Sequence, residues 1–103
     1  MHYQLYLELL EFEELRKNII LHSMKRKYTQ YFLYTRQRSD RAAIKDEWIE
    51  YVITNPLRKE IQTDKRIRCW AKIEEAQGKY LRVILLEDET TVHNAFFDRT
   101  FKE

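Results

Sequence analysis

The feature that most constrains the fold is a change of hydrophobic period after Pro56, the one proline in the chain. Beyond it, apolar residues alternate with charged or aromatic ones, first over residues 66–74 and then over residues 79–87. A period of two is typical of a β-strand with one buried face. The connection between these segments, residues 75–78, is short and ends at the one glycine, Gly78, as a hairpin requires. The sequence therefore predicts two adjacent antiparallel strands.

Two further strands are predicted on either side of this pair. A tight turn at residues 88–90 leads into a strand at residues 91–97, and a weaker strand occupies residues 58–62. The acidic side chains beside the turn are expected to be solvated: Glu87, Asp88 and Glu89. The second half of the chain is thus predicted to form an antiparallel meander of three or four strands.

Before Pro56 the hydrophobic period is helical. Residues 41–54 are predicted to form a helix, which ends at Asn55 because a residue before proline is pushed out of helical geometry. Residues 28–35 are rich in aromatic and β-branched side chains and are predicted to form a strand. The apolar positions of the helix follow i, i+4, i+7 and i+8 spacing: Ile44, Trp48, Tyr51 and Val52.

The N-terminal segment has its own pattern. Residues 3–21 carry apolar side chains at three- and four-residue spacings, which predicts an amphipathic helix. Alternation near its beginning leaves a strand start open, and Met24 leaves open a second translation start. The helical pattern comprises Leu5, Leu9, Phe12, Leu15 and Ile19. We therefore predict an N-terminal helical extension over residues 1–27.

The order of elements predicts one α+β domain over residues 28–103. It consists of a strand, a helix and then an antiparallel β-meander with the helix packed on one face, in addition to the N-terminal amphipathic helix. At 103 residues and 44% hydrophobic content, the chain has enough apolar material for one such core. It lacks both a spanning segment of about 20 apolar residues and a signal peptide. A cytoplasmic location and no contact with membranes are therefore predicted.

Metal and cofactor chemistry is not indicated by the composition. The single cysteine, Cys69, and three scattered histidines give no zinc-binding spacing. Cys69 is interpreted as a small apolar residue in a strand. We expect neither a metal site nor a cofactor.

Charge is unevenly distributed along the chain. Residues 1–23 carry four acidic and two basic residues, whereas residues 24–103 carry seventeen basic and thirteen acidic ones. A basic excess in the predicted domain is compatible with a polyanionic partner, although a solvated surface of mixed sign is the more common explanation.

The predicted strands sort their side chains onto two faces. If the apolar set that begins at Ile67 faces the helix, the opposite face receives Arg68, Trp70, Lys72, Tyr80 and Arg82. Pairing near Ala71 and Val83 would place Lys72 opposite Arg82, and a phosphate would neutralise this like-charge pair.

This mixture of cations and rings is typical of proteins that bind single-stranded nucleic acid. An alternative is that Trp70 and Ile84 form a second small core under the N-terminal helix, with the charged tips reaching water. His93 lies in the last predicted strand and is within reach of the same face in one of two registers. It could act as a general acid or base near neutral pH, or be structural.

Four parts of the chain together suggest a family: the stretch from Tyr34-Thr-Arg-Gln-Arg through Arg41, the helix from Ile44 to Ile53, Asn55-Pro56, and Val92-His-Asn-Ala-Phe-Phe-Asp-Arg. In these positions and in the order of its elements, the chain resembles a group of bacterial domains related to the BrnT and RelE toxins, over roughly residues 28–101. Residues 1–27 lie outside the resemblance.

The resemblance implies metal-independent RNA cleavage on a curved antiparallel sheet. Arg68 and Arg82 would hold the scissile phosphate, and His93 or Tyr80 would transfer protons. The arginine-rich entry to the family's first helix is matched by Arg36, Arg38 and Arg41. The C-terminus departs from the classical toxins, because only Arg99 and Lys102 are basic there, which argues against ribosome-dependent cleavage.

Three functions remain open at this point. The first is an endoribonuclease toxin with a cognate antitoxin protein as partner. The second is a module of the same fold that binds RNA or a regulatory partner without cleavage. The third is a structural or interaction protein that forms a homodimer through its N-terminal helix.

Overall fold

In a computed structural model of the chain, the structure describes residues 26–103. The predicted N-terminal amphipathic helix lies outside the described residues. The described elements, in chain order, are α1 (Gln30–Thr35), α2 (Asp46–Thr54), β1 (Arg58–Ile61), β2 (Ile67–Ile73), a 3₁₀ turn (Glu74–Ala76), β3 (Lys79–Leu85) and β4 (Val92–Phe97). The α+β class and the meander are confirmed.

The four strands form one antiparallel sheet in the order β1-β2-β3-β4. The helix α2 packs on β2 and β3, and α1 packs on β4. The shared inner side is apolar: Ile67, Cys69, Ala71, Ile73, Leu81, Val83, Leu85, Val92 and Ala95 are all buried. The sequence-based sorting of the two faces is therefore confirmed.

The register of β2 and β3 differs from the predicted one by two residues. Ala71 pairs with Leu81, not Val83, because the 3₁₀ turn closes the hairpin early and sets Ile73 opposite Lys79. The Gly78 amide donates to the Ile73 carbonyl oxygen at 3.0 Å, and φ at Gly78 is +72°. A shift of two residues keeps every side chain on its face.

The predicted strand at residues 28–35 is wrong. Only Tyr28 makes a bridge, to Val92, and the chain then enters the short helix α1. Thr29 caps this helix, since its Oγ1 accepts from the Phe32 amide at 3.1 Å. Phe32 and Thr35, three residues apart, are both buried. The strand preference of the aromatic residues gave way to this cap and to burial against β4.

The helix predicted at residues 41–54 begins later, at Asp46. Ile44 is buried in the turn before it, and the helix buries Ile49 and Val52 completely. Tyr51 is 49% exposed, so its predicted place on the buried face is wrong. The error arose because the apolar pattern was phased from Ile44, which precedes the helix. At 100° per residue, Ile49 and Val52 lie on one side of the helix, which is the buried side, and Tyr51 lies nearly opposite Ile49.

Arg26 connects the segment before α1 to the rest of the domain. Its guanidinium pairs with the Glu50 carboxylate on α2 through contacts of 2.6 and 3.0 Å, and both side chains are about 15% exposed or less. Its Nη1 also donates to the Thr90 carbonyl oxygen in the turn between β3 and β4. The segment before α1 is thus joined both to α2 and to the sheet.

Candidate nucleic-acid interface

The side of the sheet opposite α2 is called the outer face here. The registers align one residue from each strand in a row across it, which we call the central row: Arg58, Trp70, Arg82 and Phe96. Cations and aromatic rings therefore alternate from β1 to β4. The neighbouring outer-face positions are Glu60, Arg68, Ile84 and Asn94 on one side and Lys72 and Tyr80 on the other.

The predicted like-charge pair is absent from this face. Lys72 lies opposite Tyr80, and Arg82 lies opposite Trp70. A cation beside a ring is attracted by the ring's negative face, so this register replaces a repulsion by cation–π contacts. The Arg82 guanidinium carbon lies 5.3 Å from the Trp70 ring centroid and 5.3 Å from that of Phe96.

Two more arginines stack at the ends of this arrangement. The Arg68 guanidinium carbon lies 5.4 Å from the Trp70 ring centroid, and that of Arg41 lies 5.3 Å from the Phe96 centroid. Arg41 comes from the loop before α2 and is held there because its Nη1 donates to Asn94 Oδ1 at 2.8 Å. The outer face therefore gathers guanidinium groups from β1, β2, β3 and one loop.

The C-terminal segment, residues 98–103, folds back onto the outer face. The Asp98 amide donates to the Tyr80 carbonyl oxygen at 2.9 Å and begins this return. The Phe101 ring then stacks on Trp70, with centroids 5.1 Å apart and planes 17° apart. It also lies 5.0 Å from the Tyr80 ring, and the Arg58 guanidinium carbon is 4.9 Å from its centroid. Trp70 is consequently only 5% exposed.

Asp98 connects this segment to the central row. Its Oδ2 accepts from Trp70 Nε1 at 2.9 Å and lies 3.5 Å from Arg82 Nη1. Its Oδ1 accepts from the Thr100 amide and hydroxyl at 3.0 and 2.6 Å. Burial by itself would raise the pKa of the Asp98 carboxyl, but the hydrogen bonds from Thr100 and Trp70 and the Arg82 charge outweigh it and hold the pKa below its usual value. The carboxylate is therefore ionised at neutral pH.

The remaining cations of the face differ in how they are paired. Arg68 donates from Nε to Glu60 Oε2 at 3.1 Å, and its Nη2 lies 2.9 Å from the same oxygen. Lys72 Nζ lies 3.7 Å from Glu74 Oε1. Among residues 26–103, Arg58 has no carboxylate within 4.0 Å. Exposed ion pairs of this kind are weak, so they leave these cations available to a polyanion.

His93 lies at a bulge, where β4 has one more residue than β3 between the Ile84–Asn94 and Leu85–Val92 pairs. Its Nδ1 is 3.2 Å from Thr29 Oγ1, and its ring stacks on Tyr31 with centroids 4.9 Å apart. Burial, and then the Arg66 charge, lower the pKa of His93, so the ring is neutral near pH 7. A neutral imidazole can accept a proton.

The structure does not join His93 to the predicted phosphate-binding arginines. Within the described part of the chain, His93 makes no hydrogen bond to Arg68, Arg82 or Tyr80. Tyr80 instead lies beside the C-terminal segment, where a hydrogen bond to the Glu103 carboxylate raises the pKa of its hydroxyl. That hydroxyl remains protonated and can act as a donor.

The three arginines of the predicted helix entry go to different places. Arg36 donates to Asp46 Oδ1 at 2.6 Å and stacks on Tyr28 and Phe32. Arg38 is 60% exposed and lies 3.6 Å from Asp40. Only Arg41 contacts the outer face.

Sequence reasoning missed several residues of this interface. Arg58 and Phe96 enter it only through the strand register, and Asp98 and Phe101 only through the return of the C-terminal segment. The sole sequence signal was the presence of an aromatic residue after the last strand, which by itself specifies no position. Two surface depressions adjoin Asp98 and Phe101. They have volumes of about 660 and 360 Å³ and flank the segment toward Arg41 and Arg58, respectively.

Comparisons with protein-family models, curated proteins and solved structures give no match to this chain. Residues 26–103 contain no helix long and apolar enough to cross a membrane. The same residues bring together no group of three or more His, Cys, Asp or Glu that could hold a metal ion. The site is thus defined by the residues of the outer face and the C-terminal segment.

Proposed function

We propose that this domain binds single-stranded RNA on its outer face. The observation that carries the proposal is the central row, in which Arg58, Trp70, Arg82 and Phe96 alternate cation and ring across four strands. Single-stranded nucleic acids are bound by the same two contacts, with bases stacked on rings and phosphates held by arginine or lysine. An inner face of aliphatic residues could offer neither.

The spacing of the strands places the rings and guanidinium groups of the central row at distances that suit successive bases and phosphates. Neighbouring strands lie about 4.8 Å apart, so Trp70 and Phe96, on alternate strands, are about 10 Å apart with Arg82 between them. Trp70 and Phe96 could each stack one base, with the phosphate between the two bases held by the Arg82 guanidinium. Arg41 and Arg58, at opposite ends, would meet the phosphates that follow in either direction.

Binding is tested with a fluorescein-labelled single-stranded RNA dodecamer, followed by fluorescence anisotropy at several salt concentrations. Arg68→Ala should weaken binding and reduce the slope of log K against log salt by about 1, as the loss of one phosphate contact would. Lys45→Ala is the matched control, because Lys45 is 55% exposed at the start of α2, on the other side of the sheet. It should leave the slope unchanged.

Two results would contradict the proposal. One is the absence of measurable RNA binding by the wild-type chain at low salt. The other is an equal loss of affinity for Arg68→Ala and Lys45→Ala, which would indicate general charge attraction and not a site on the outer face.

Metal-independent RNA cleavage, as in a toxin held in check by an antitoxin protein, is a second candidate. One observation favours it. The His93 ring is neutral near pH 7, and when its Nδ1 carries the proton and donates to Thr29 Oγ1, its Nε2 is left as a proton acceptor. Activation of an RNA 2′-hydroxyl requires such an acceptor. The resemblance assigns stabilisation of the developing phosphate charge to Arg82 or Arg68, with which His93 makes no hydrogen bond among residues 26–103.

Cleavage is tested by inducing the full chain in bacteria and following growth and total RNA, and by incubating the purified chain with RNA in EDTA. A cleaving toxin should arrest growth and produce fragments with EDTA present. His93→Gln should abolish the fragments and retain binding, since Gln is polar but does not titrate near neutral pH. Normal growth and intact RNA at confirmed expression would contradict the cleavage candidate, and RNA binding would remain as the proposed function.

A further inference from the structure

The C-terminal segment presents a carboxylate and an aromatic ring to the central row in quick succession. Asp98 Oδ2 accepts from Trp70 Nε1 at 2.9 Å and faces Arg82 Nη1 at 3.5 Å. Three residues later, Phe101 stacks nearly parallel on the Trp70 ring. An anion beside a guanidinium and a planar ring on an indole are the two contacts that a nucleotide would make at the same place.

The Asp98 carboxylate does not satisfy the hydrogen-bonding groups of the Arg82 guanidinium completely. A charge-assisted hydrogen bond between a guanidinium and an oxyanion is about 2.7–2.9 Å long, which is shorter than the 3.5 Å from Arg82 Nη1 to Asp98. Arg82 Nε is enclosed and has no hydrogen-bond acceptor among residues 26–103. A phosphate has more oxygens than a carboxylate and could meet both nitrogens, since arginine binds phosphates in a bidentate manner.

The contacts of the segment with the outer face are concentrated at Asp98 and Phe101, because Arg99, Thr100, Lys102 and Glu103 are exposed. Glu103 adds an exposed hydrogen bond with the Tyr80 hydroxyl. A stretch with little buried surface opens at a small part of the free energy of global unfolding. The outer face can thus be uncovered while the α2-covered core stays intact.

We propose that Trp70, Arg82 and Arg58 form a subsite for one RNA base and its phosphate, and that the C-terminal segment is an intramolecular competitor for it. Phe101 occupies the position of the base and Asp98 that of the phosphate. The inference rests on the proposed RNA-binding function and adds its regulation. The apparent dissociation constant equals the intrinsic one divided by the fraction of molecules in which the segment is displaced.

The test measures affinity and the accessibility of Trp70 together. The chain has two tryptophans, so Trp48→Phe leaves Trp70 as the one tryptophan, which can be excited at wavelengths that tyrosine does not absorb. In that background, Phe101→Ala removes the stacked ring, and Asp98→Asn removes the charge opposite Arg82 but retains an acceptor for Trp70 Nε1. Tyr34→Ala is the control, because Tyr34 is a 75% exposed ring on α1.

Phe101→Ala should bind a labelled hexauridylate at least about threefold more tightly than its parent, the effect expected from one aromatic stacking pair. Its Trp70 emission should be quenched more strongly by acrylamide, and added RNA should reverse that quenching. Asp98→Asn should also bind more tightly, with a smaller change in quenching. Tyr34→Ala should match its parent in both measurements.

The outcomes separate this inference from the function on which it rests. If the parent binds RNA and neither Phe101→Ala nor Asp98→Asn binds more tightly, the C-terminal segment does not compete with RNA, and the RNA-binding function stands. If Trp70 becomes accessible in Phe101→Ala but neither the parent nor any variant binds RNA, both the RNA-binding function and the competition by the segment are contradicted. If circular dichroism finds Phe101→Ala unfolded, the affinity of Asp98→Asn decides.

Discussion

The two faces of the sheet are built by alternate residues of the same strands, yet they are held in different ways. On the inner face Leu81, Val83 and Leu85 are at most 2% exposed and belong to the apolar cluster beneath the helices. On the outer face the intervening Arg82 stacks on two rings and faces one carboxylate. The inner contacts join apolar side chains, whereas the outer contacts join charged groups and aromatic rings.

This difference determines which contacts each face can lose without unfolding the domain. Close packing of aliphatic side chains has no equivalent partner in solution, so its loss destabilises the fold. A cation–π or exposed ion-pair contact can be exchanged for a similar contact to a ligand at little net cost. The inner face therefore provides the stability, and the outer face can change partners without unfolding the domain.

The largest expected effect is on the inner face. Ile49→Ala should lower the free energy of unfolding by about 2–5 kcal/mol, because Ile49 is completely buried and its truncation leaves a cavity. Tyr51→Ala, two residues away and 49% exposed, should change it by about 0.5 kcal/mol or less. Urea unfolding followed by circular dichroism measures both. Similar losses would mean that the phase of α2 is different from the one described.

An intermediate effect is expected at the central row. Arg82→Ala should cost about 1–2 kcal/mol, because Arg82 is 21% exposed, stacks between two rings and would leave Asp98 without its cation. Arg68→Ala should cost less than about 1 kcal/mol, since Arg68 is 35% exposed and pairs with one similarly exposed carboxylate. The same urea titration compares them. A cost for Arg82→Ala as large as that of Ile49→Ala would make the outer face a second core.

The smallest effect concerns acid. Hydrogen bonds from Thr91 lower the pKa of Asp88 to about 2, and the pKa of Asp98 is also lowered. A carboxyl whose folded pKa lies below its unfolded pKa stabilises the fold above the unfolded value and loses this contribution as the pH falls through the folded one. Stability should thus decline from about pH 4 toward pH 2. Urea titrations across this range measure the decline.

Two variants separate the contributions of the β3–β4 turn and of the outer face to this pH dependence. Asp88→Asn should remove the part that belongs to the turn between β3 and β4, and Asp98→Asn the part that belongs to the outer face. If Asp98→Asn leaves the acid decline unchanged, the carboxylate does not stabilise the outer face, and the contrast between the two faces loses its electrostatic part.

The sequence by itself determined the meander and the division of its residues between two faces. Alternation is a property of the strand backbone, so Ile67 to Ile73 and Leu81 to Leu85 carry their inward and outward assignment in the order of their residues. For this reason, an error of two residues in the β2–β3 register left the predicted composition of the outer face intact. It altered only the pairs, from Lys72 and Arg82 to Trp70 and Arg82.

Local patterns were insufficient where a single contact decided the conformation. The aromatic residues after Tyr28 favour a strand, but the Thr29 cap and the burial of Phe32 against β4 make a helix. The helix α2 begins only at Asp46, whose carboxylate accepts from Arg36 and Tyr28. The Thr29 cap is a local contact, but the burial of Phe32 and the contacts of Asp46 form only when the elements pack, and no periodicity encodes them.

The candidate site shows the same limit most clearly. Arg68, Trp70 and Arg82 were assigned to one surface from alternation alone, and the structure places them there. Asp98 and Phe101 reach that surface because the chain turns back after β4, and such a turn leaves no period in the sequence. The sequence determined which side chains share a face, since that follows from the strand backbone. Only the tertiary structure decided what covers them, because coverage depends on long-range packing.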